Sequence, residues 1–426
     1  MKFTILSEDE FRTFAANHPL SNFHQTIEWG LLKEKTGWHM HLVGLKKDNH
    51  IIAATMLLSN KILGGLNIFY CPRGFLIDFN DYETLSFFTK ELKKYISKNK
   101  GIFLKIDPYI IHKERDINGN IIGNGIDNSH IISYLKKLKY RHYGFNIYNE
   151  TLQPRWLSVL SLENKDEQQI LKEMDYQTRQ NVNRTLKLAL DVEELDYDNI
   201  DRYKNIMLHT SQRRHFVDRP LKYYQDMYSI LKPKDMIKIL IVSLDTDKYL
   251  KKLEQQLGEA IQIKNDLENQ LAITPNSYKF NNRLKEINTN INNLNTKIKD
   301  AIALKNKYGS HIDLAGSMFI TYGPEIVYLY SGAYNEFMKF NAQYRLQWEM
   351  IKYGLENNFK NYNFYGITGD FSNENEQYGI YAFKKGFNAN VVELIGEFDL
   401  VINNWYYSLY KFLFWGYKLL KKIIKR

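Results

Sequence analysis

Apolar positions along the chain predict two α/β units that follow one plan. In the first unit, residues 41–45 and 51–58 are apolar runs around a polar turn at 46–49, a pattern typical of a β-hairpin. The other elements predicted for this unit are helices at 8–18, 25–36, 83–98 and 129–138, strands at 67–70, 103–106 and 143–147, and a Gly/Asn loop at 118–128.

The second unit repeats this order. A strand at 237–244 should have a hairpin partner directly after it, but the next matching apolar run lies at 314–320. The remaining elements predicted for this unit are strands at 156–162 and 327–331 and helices at 166–189, 197–212, 220–231 and 341–357. The residues between the two hairpin strands therefore form an insertion at the tip of the hairpin.

The insertion has the pattern of a coiled coil. Apolar positions alternate spacings of three and four on both sides of a Pro-containing turn at 274–277, which predicts an antiparallel helical hairpin. The two seams are Leu250, Leu253, Leu257, Ala260, Lys264, Leu267 and Leu271, and Leu284, Ile287, Ile291, Leu294, Ile298, Ala301 and Lys305. Helices of about 25 residues would reach ~37 Å. Such an arm can serve as a spacer, a dimer contact or a nucleic-acid contact, and the sequence leaves these roles open.

The stretch 362–387 is the strongest candidate for chemistry. It begins as an aromatic strand, turns at Gly369-Asp370, and continues through an acidic Asn/Glu loop. A second aromatic segment, expected as a strand, ends in Phe383-Lys384-Lys385-Gly386-Phe387. This layout favours a cleft that presents a cation to a reacting group, and ordinary sheet packing is the alternative.

Length and cysteine content set broader limits. With 426 residues the chain exceeds the ~250–300 residues that one core usually serves. Cys71 is the single cysteine, which excludes an intrachain disulfide and favours a reducing compartment. The first residues carry acids and lack an apolar run, unlike a signal peptide.

Charge is concentrated in two segments. Of the formal net charge of +10, the arm contributes +4 and residues 405–426 contribute +6, with no acidic residue in the latter segment. Lysines at 411 and 418 interrupt its apolar runs, so the segment is too short to span a bilayer. An aromatic, basic helix instead suits an anionic membrane surface. The alternative is a terminal helix docked on the body with a solvated basic tail.

Several common chemistries lack their motifs. Acetyl-CoA enzymes of the expected fold need a loop of the type Q/R-x-x-G-x-G/A. The nearest candidate is 120–125, but it begins with Asn120 and lies in a loose polar stretch. We interpret this stretch as a surface turn. Scattered histidines and one cysteine argue against a structural zinc site. Neither G-x-S-x-G nor a P-loop is present. We therefore predict no cofactor and no metal.

Motifs along nearly the whole chain resemble the Fem family of peptidoglycan-bridge aminoacyltransferases, the FemA/FemB type more than the FemX type. They are MKFTILSEDEF (1–11), QTIEWGLLK (25–33), YCPRGFLIDF (70–79), LKIDPY (104–109), QPRW (153–156), YLYSGAYNEF (328–337), LQWEMIKYGL (346–355), NFYGITGDF (363–371) and FKKGFN (383–388). The resemblance implies two tandem GNAT-like acyltransferase domains without acetyl-CoA chemistry. It also implies transfer of an amino acid from aminoacyl-tRNA to the stem peptide, or to a started bridge, of lipid II at the cytoplasmic face of the membrane.

The resemblance and the element pattern together divide the chain. The expected domains are 1–150 for the first unit, 151–246 with 309–400 for the second, 247–308 for the arm, and 401–426 for the C-terminal helix. Glycine, serine and alanine remain open as the donated residue. Relatives that exchange serine for glycine, and so confer immunity to a bridge-cutting endopeptidase, remain open as the subtype. Homo- or hetero-oligomers with other family members are open as well.

The resemblance also assigns site residues. Lys33 and Arg213 match positions that contact the acceptor's phosphates, and Arg213 with Thr210 fits the pattern T-x-x-R-x-x-F. Lys384, after Phe383, matches the lysine proposed to stabilise the oxyanion. A solvated helix face is the alternative for Lys33, and an ion pair with Asp370 or Glu374 is the alternative for Lys384.

Further roles follow from the chemistry of ester aminolysis. Asp107, at a strand end, is the candidate for accepting the amine proton. The alternatives are that Asp107 only caps the turn before Pro108, and that the substrate itself assists the proton transfer. Candidates for lining the peptide channel are Tyr330, Tyr334 and Tyr365. For tRNA, the candidates are Arg179, Arg184 and Lys187, whose phosphate contacts would give affinity without sequence reading. Solvated charge is their alternative. Two rival functions are a catalytically silent coiled-coil membrane scaffold and a CoA-dependent N-acyltransferase.

Overall fold

The computed structural model describes residues 1–148 and 150–424. Its strands are β1 (Lys2–Ile5), β2 (His39–Lys47), β3 (His50–Lys61), β4 (Asn67–Cys71), β5 (Gly101–Ile106), β6 (Ile111–Glu114), β7 (Tyr140–His142), β8 (Trp156–Ser161), β9 (Leu190–Glu194), β10 (Ile237–Asp245), β11 (His311–Tyr322), β12 (Glu325–Ala333), β13 (Asn361–Ile367), β14 (Asn390–Leu394) and β15 (Phe398–Val401). Its α-helices are α1 (Glu8–Asn17), α2 (Ile27–Glu34), α3 (Tyr82–Lys98), α4 (Ser129–Lys137), α5 (Glu167–Glu173), α6 (Tyr176–Lys187), α7 (Ile200–Arg214), α8 (Leu221–Leu231), α9 (Thr246–Ile273), α10 (Tyr278–Tyr308), α11 (Ala342–Glu356), α12 (Tyr378–Gly386) and α13 (Asn404–Ile424).

The strands form two mixed sheets with matching plans. The first has the order β1-β2-β3-β4-β5-β15-β7, and the second has the order β6-β14-β8-β13-β12-β11-β10-β9. Neighbours are antiparallel in both sheets except for one parallel pair in each, β4 with β5 and β12 with β13. In each unit the parallel pair follows a meander of antiparallel strands. The predicted repeat of an α/β unit is confirmed.

Two strands pair across the ranges expected for the two units. β6, from the N-terminal part of the chain, pairs with β14 in the second sheet. β15, from the C-terminal part, lies between β5 and β7 in the first sheet. Each sheet therefore contains a strand contributed by the other half of the chain.

The strand predicted at 143–147 is wrong. The strand ends at His142, and Gly144 has a φ of +83°, which turns the chain away from the sheet. The hydroxyl of Tyr143 donates to the Asp399 carboxylate at 2.5 Å, so this aromatic residue anchors β15 from the side. Its apolar ring had been interpreted as part of a strand.

Two further predictions need correction. The helix predicted at 166–189 is two helices, because Met174 is extended and the Asp175 carboxylate accepts from Thr178 N–H to begin α6. The aromatic segment before residue 387 is helix α12 and not a strand. Its two buried side chains other than glycine, those of Tyr381 and Lys384, are spaced by three, which is a helical and not an alternating pattern.

The predicted antiparallel arm is confirmed. On α9 the buried residues recur every seven positions, as they do on α10. These residues are Leu253, Ala260 and Leu267 on α9, and Ile287, Leu294 and Ala301 on α10. The arm leaves β10 after Asp245 and returns to β11 at His311, and these two residues are paired across the sheet. The sheet is thus uninterrupted by the insertion.

The two units share a hydrophobic core. One cluster of buried side chains joins Phe11 of α1 and Trp29 of α2 to Tyr203 of α7, Tyr224 of α8 and Ile239 of β10. Separate cores lie under the first sheet and beneath α11 of the second. The shared cluster fixes α2 and α8 side by side, and this contact forms one wall of the candidate site.

Helix α13 packs against the first sheet. The rings of Tyr407 and Tyr410 each lie 5.4 Å from the ring of Phe103 on β5. Lys411 Nζ lies 3.5 Å from the buried Asp399 carboxylate, so one of the six basic residues of this segment is paired with an acidic residue outside the segment. The side chains of the other five, at 418–426, lie outside the described residues. Across the described part of the chain, we find no helix with the length and apolarity needed to cross a membrane.

Candidate active site

The second sheet opens between its two parallel strands. β12 and β13 are paired from Glu325 with Asn361 to Val327 with Asn363, where the described pairing ends. Just beyond, the backbone of Tyr365 has a φ of 66° and the register of β13 with β8 shifts. Because a non-glycine residue rarely adopts this conformation, the bend marks a site held by its surroundings. The candidate catalytic residues converge on this bend.

Lys384 is buried behind the bend. Its Nζ donates to the carbonyl oxygen of Gly366 at 2.6 Å, and its side chain is 6% exposed. Burial lowers the pKa of Lys384 to about 7. Among the described residues it forms no ion pair, and Asp370 instead accepts from Ser372 and Tyr148. The ion-pair alternative with Asp370 is therefore not what the structure shows.

Asp107 approaches the bend from the first sheet. It follows β5 and is buried, and burial raises the pKa of its carboxyl to about 6. It accepts hydrogen bonds from the Tyr70 hydroxyl at 2.9 Å and from Arg73 N–H at 2.7 Å. These donors come from β4 and the turn after it, so the carboxylate joins two segments and does not merely cap the turn before Pro108.

Arg73 and Tyr365 connect the two sides. Arg73 is buried, and its Nη2 donates to the carbonyl oxygen of Pro154 at 2.8 Å. The hydroxyl of Tyr365 donates to the side-chain oxygen of Gln153 at 2.7 Å and also interacts with the Arg73 guanidinium. Lys384 and Asp107 are thereby linked to consecutive residues of β13, Lys384 through Gly366 and Asp107 through Arg73 and Tyr365.

A second group of cations lies beside Tyr330. Lys33 on α2 has its Nζ 4.1 Å from the ring centre of Trp29 and 5.8 Å from that of Tyr223. Burial, together with the nearby Arg219 guanidinium, lowers the pKa of Lys33 to about 8. The Tyr330 hydroxyl interacts with the side chains of both Tyr223 and Arg219. Within the described residues neither cation has a carboxylate partner, so the pair can accept an anion.

Other predicted site residues occupy different places. The Thr210 hydroxyl accepts from Ala333 N–H at 3.0 Å and donates to the Ile206 carbonyl, which joins α7 to β12. Tyr334 lies beside this junction, with its ring 5.1 Å from that of His209. Arg213 lies in the last turn of α7, and its buried Nε has no hydrogen-bond partner in the described structure.

The remaining candidates lie around α6 and α12. The ring of Phe383 packs 4.9 Å from that of Tyr344, so it joins α12 to α11. On α6, Arg179 donates to the carbonyl of Lys172 at 3.2 Å, while Arg184 and Lys187 are exposed. The helix itself is attached to α12 through a hydrogen bond from Asp175 N–H to the Gly386 carbonyl.

Sequence reasoning missed Arg73 and Arg219 as site residues. Arg73 stood within a motif quoted for the family resemblance, and its position in a Pro-Arg-Gly turn was the available signal. Arg219 precedes Pro220 at the start of α8, and no local pattern distinguishes it from a solvated arginine. The turn at 120–125 is exposed and hydrogen-bonded around the acidic side chain of Asp116, as the surface-turn interpretation predicted.

The arrangement meets the demands of acyl transfer to an amine. The ammonium of Lys384 can stabilise an oxyanion, and the carboxyl of Asp107 can accept a proton. Lys33 and Arg219 can bind a negatively charged group of a substrate. These features lie where the two units meet.

The comparisons with known proteins agree with this layout. The FemAB family pattern matches residues 6–414. The aminoacyltransferase FemA of Staphylococcus epidermidis (strain ATCC 12228) is 33% identical over 424 residues, covering 99% of this chain and all of that protein. The aminoacyltransferase FemA of Staphylococcus aureus (strain N315) is 32% identical over 413 residues, covering 96% and 97% of the two chains. The crystal structure of FemX superposes with a TM-score of 0.78 at 25% identity, over 96% of this chain and 99% of that one.

Sequence and fold place the chain among the aminoacyltransferases, with one α/β plan used twice. The chain belongs to the FemAB family.

Proposed function

We propose that this protein transfers a small amino acid (glycine, serine or alanine) from aminoacyl-tRNA to the stem peptide or growing interpeptide bridge of lipid II. The relatives carry the name aminoacyltransferase FemA, and the FemAB pattern covers nearly the whole chain. The observation that carries the proposal is the buried ammonium of Lys384, which points at a backbone carbonyl where the second sheet opens.

The reaction is aminolysis of an ester. The acceptor's neutral amine attacks the ester carbonyl, a C–N bond forms, and the C–O bond to the tRNA ribose breaks. Lys384 stabilises the oxyanion of the tetrahedral intermediate, and a single oxyanion-hole donor contributes ~3–4 kcal/mol in a comparable site. The amine proton passes to the Asp107 carboxylate, which returns it to the departing ribose oxygen, so the step neither consumes nor releases a proton. Since the aminoacyl ester is already activated, the step requires no cofactor.

Lys33 and Arg219 bind the acceptor's phosphates in this proposal. The two cations repel each other, and neither has a carboxylate partner among the described residues. A bound pyrophosphate would offset this repulsion. Arginine adds the capacity for bidentate contact. Arg213, in the last turn of α7, is a further candidate for phosphate contact because it matches the family pattern.

The donor tRNA contacts α6 and the arm. Arg184 and Lys187 are exposed on α6, and α6 is attached to the helix that carries Lys384. Contacts from these residues to phosphates would supply affinity that falls with salt and does not depend on the tRNA sequence.

Transfer of radiolabelled glycine, serine and alanine from charged tRNA tests the proposal. The acceptors are lipid II without a bridge and lipid II with one or several bridge residues. We expect label on one acceptor class from one donor, and loss of transfer in Lys384→Met but not in Lys385→Met. Folded protein that transfers none of the three residues would refute the proposal, and tight binding of acetyl-CoA in calorimetry would favour N-acyl transfer instead.

A further inference from the structure

Helix α13 has two apolar faces, and the body covers one of them. Tyr407 is 6% exposed against β5, whereas Trp405 is 69% exposed and Leu413 is 51% exposed. With 100° between successive helical positions, Trp405, Leu409 and Leu413 lie within a quarter turn of one another, on the side opposite to Tyr407. An isolated exposed apolar residue is ordinary, but a continuous stripe along a terminal helix marks an interaction surface.

The sequence after Leu413 remains apolar and basic. Apolar residues occupy 419, 420 and 423, and lysines occupy 418, 421, 422 and 425. The segment 405–426 carries six basic residues and no acidic residue, a composition that suits an anionic lipid surface.

We propose that the exposed face of α13 binds the surface of an anionic lipid bilayer, with the helix axis lying in the plane of the surface. The aromatic and leucine side chains enter the boundary between headgroups and acyl chains, and the basic side chains contact anionic headgroups. This inference goes beyond the transfer reaction and does not depend on which residue is transferred.

Charge distinguishes a bilayer from a second copy of the chain. Two α13 helices facing each other would bring two segments of +6 together, and the rest of the protein outside the arm and this segment sums to zero. Repulsion therefore opposes self-association through this face, whereas an anionic surface attracts it. The exposed face thus fits a lipid surface better than it fits its own copy.

The docking of α13 sets the orientation of the protein on the membrane. The rings of Tyr407 and Tyr410 contact Phe103 of β5, and Lys411 reaches Asp399 of β15. Since Asp107 directly follows β5, the helix and the candidate site are attached to the same strand. A bilayer bound by α13 would therefore hold the site at a fixed position relative to a lipid-linked acceptor.

Co-sedimentation of the full-length protein with vesicles tests the inference, and its readout is independent of enzyme activity. The vesicles contain equal parts phosphatidylglycerol and phosphatidylcholine, with pure phosphatidylcholine as the neutral arm. We expect binding to the anionic vesicles that falls with salt, and a loss of at least ~10-fold in the double variant Trp405→Ser, Leu413→Ser. The matched control is Ile273→Ser, Tyr278→Ser at the arm's tip, where exposure is 82% and 81%.

Three outcomes would overturn the inference. The first is equal vesicle binding by the double variant and the wild type, and the second is equal binding to both vesicle types. The third is a dimer in sedimentation velocity that is lost in the double variant, together with no binding of the wild type to either vesicle type. If the double variant does not fold, quenching by brominated lipids is compared between Trp415→Phe and the double variant Trp405→Phe, Trp415→Phe, because the chain has six tryptophans and the difference isolates the fluorescence of Trp405. Quenching by anionic vesicles supports the inference, and its absence contradicts it.

Discussion

The ammonium group of Lys384 donates to the carbonyl oxygen of Gly366, 2.6 Å away, at the bend where β13 separates from β12. A neutral backbone carbonyl is a weak partner for a buried charge, since it does not offset the loss of hydration as a carboxylate would. The ammonium can therefore exchange this partner for a developing oxyanion at a gain in free energy. The predictions for Lys384 follow from this relationship.

Replacing Lys384 with methionine should lower kcat for amino-acid transfer by ~10²–10³-fold, because a fixed oxyanion donor is removed while the packed volume is kept. Lys385→Met is the matched control. Its ammonium lies over the Tyr381 ring at 5.7 Å, away from Gly366. Single-turnover transfer from charged tRNA measures the effect. Equal losses in the two variants would show that Lys384 has no special role.

The same substitution should stabilise the protein near neutral pH. The pKa of Lys384 falls from 10.5 to about 7 on folding, so between these values the unfolded chain binds more protons. Stability of the wild type therefore rises with pH across this window, and Lys384→Met removes that contribution. Thermal unfolding at pH ~7 and pH ~9 checks the sign. A methionine variant that is less stable than the wild type at pH ~7 would contradict the prediction.

Asp107 should determine the acidic limb of the pH profile. Its carboxyl must be ionised to accept a proton, so kcat/KM should rise with pH through about 6. Asp107→Asn should lower the rate by ~10²–10⁴-fold and flatten this limb. Tyr70→Phe, which removes a donor to the carboxylate, should shift the limb to higher pH and keep most of the activity. An asparagine variant with full activity would favour substrate-assisted proton transfer.

Lys33→Gln and Arg219→Gln should each raise KM for the lipid-linked acceptor about 10-fold with little change in kcat, since they remove ground-state contacts to phosphate. The matched control is Lys35→Gln, an exposed lysine just after α2. Steady-state kinetics with the acceptor varied measures the effect. A soluble acceptor without phosphates should be used equally by all variants, and a difference there would refute the phosphate assignment.

The N-terminal fragment 1–150 should not fold by itself. It lacks β15, which lies between β5 and β7, and the side chain of Leu400 on that strand is fully buried. In the whole protein, Leu400→Ala should cost ~2–5 kcal/mol of unfolding free energy. Circular dichroism and denaturant titration provide the measurements. Cooperative unfolding of the isolated fragment would show that the exchanged strand is dispensable.

Local patterns predicted much of the fold. The heptad spacing of Leu253, Ala260 and Leu267 specified the arm, and the apolar runs at 41–45 and 51–58 specified the first hairpin, because both structures depend on neighbours in sequence. The place of β15 in the first sheet was not predictable in this way. Pairing between Leu400 and Leu104 spans nearly 300 residues, and no local signal encodes it.

The candidate site shows the same division. Lys384 was proposed from the family resemblance and Asp107 from its position at a strand end, and both signals are local in sequence. Arg73 was missed because its importance comes from tertiary burial, and Arg219, which is exposed, because its importance comes from Lys33 and Tyr330 on other segments. Helix α12 was misread because its aromatic residues favour strands, whereas contacts such as the bond from the Tyr381 hydroxyl to the Ile117 carbonyl hold it as a helix.

The interior position of β15 has a consequence for synthesis on the ribosome. Every other strand of the first sheet has been translated before residue 398, so β5 and β7 must wait with unpaired edges while the second unit is made. Unpaired strand edges can pair with strands of other chains. The nascent protein therefore needs protection by chaperones until β15 has been made. A message truncated before codon 398 would leave the first sheet open, and such a product would be directed to degradation instead of accumulating as an independent N-terminal unit.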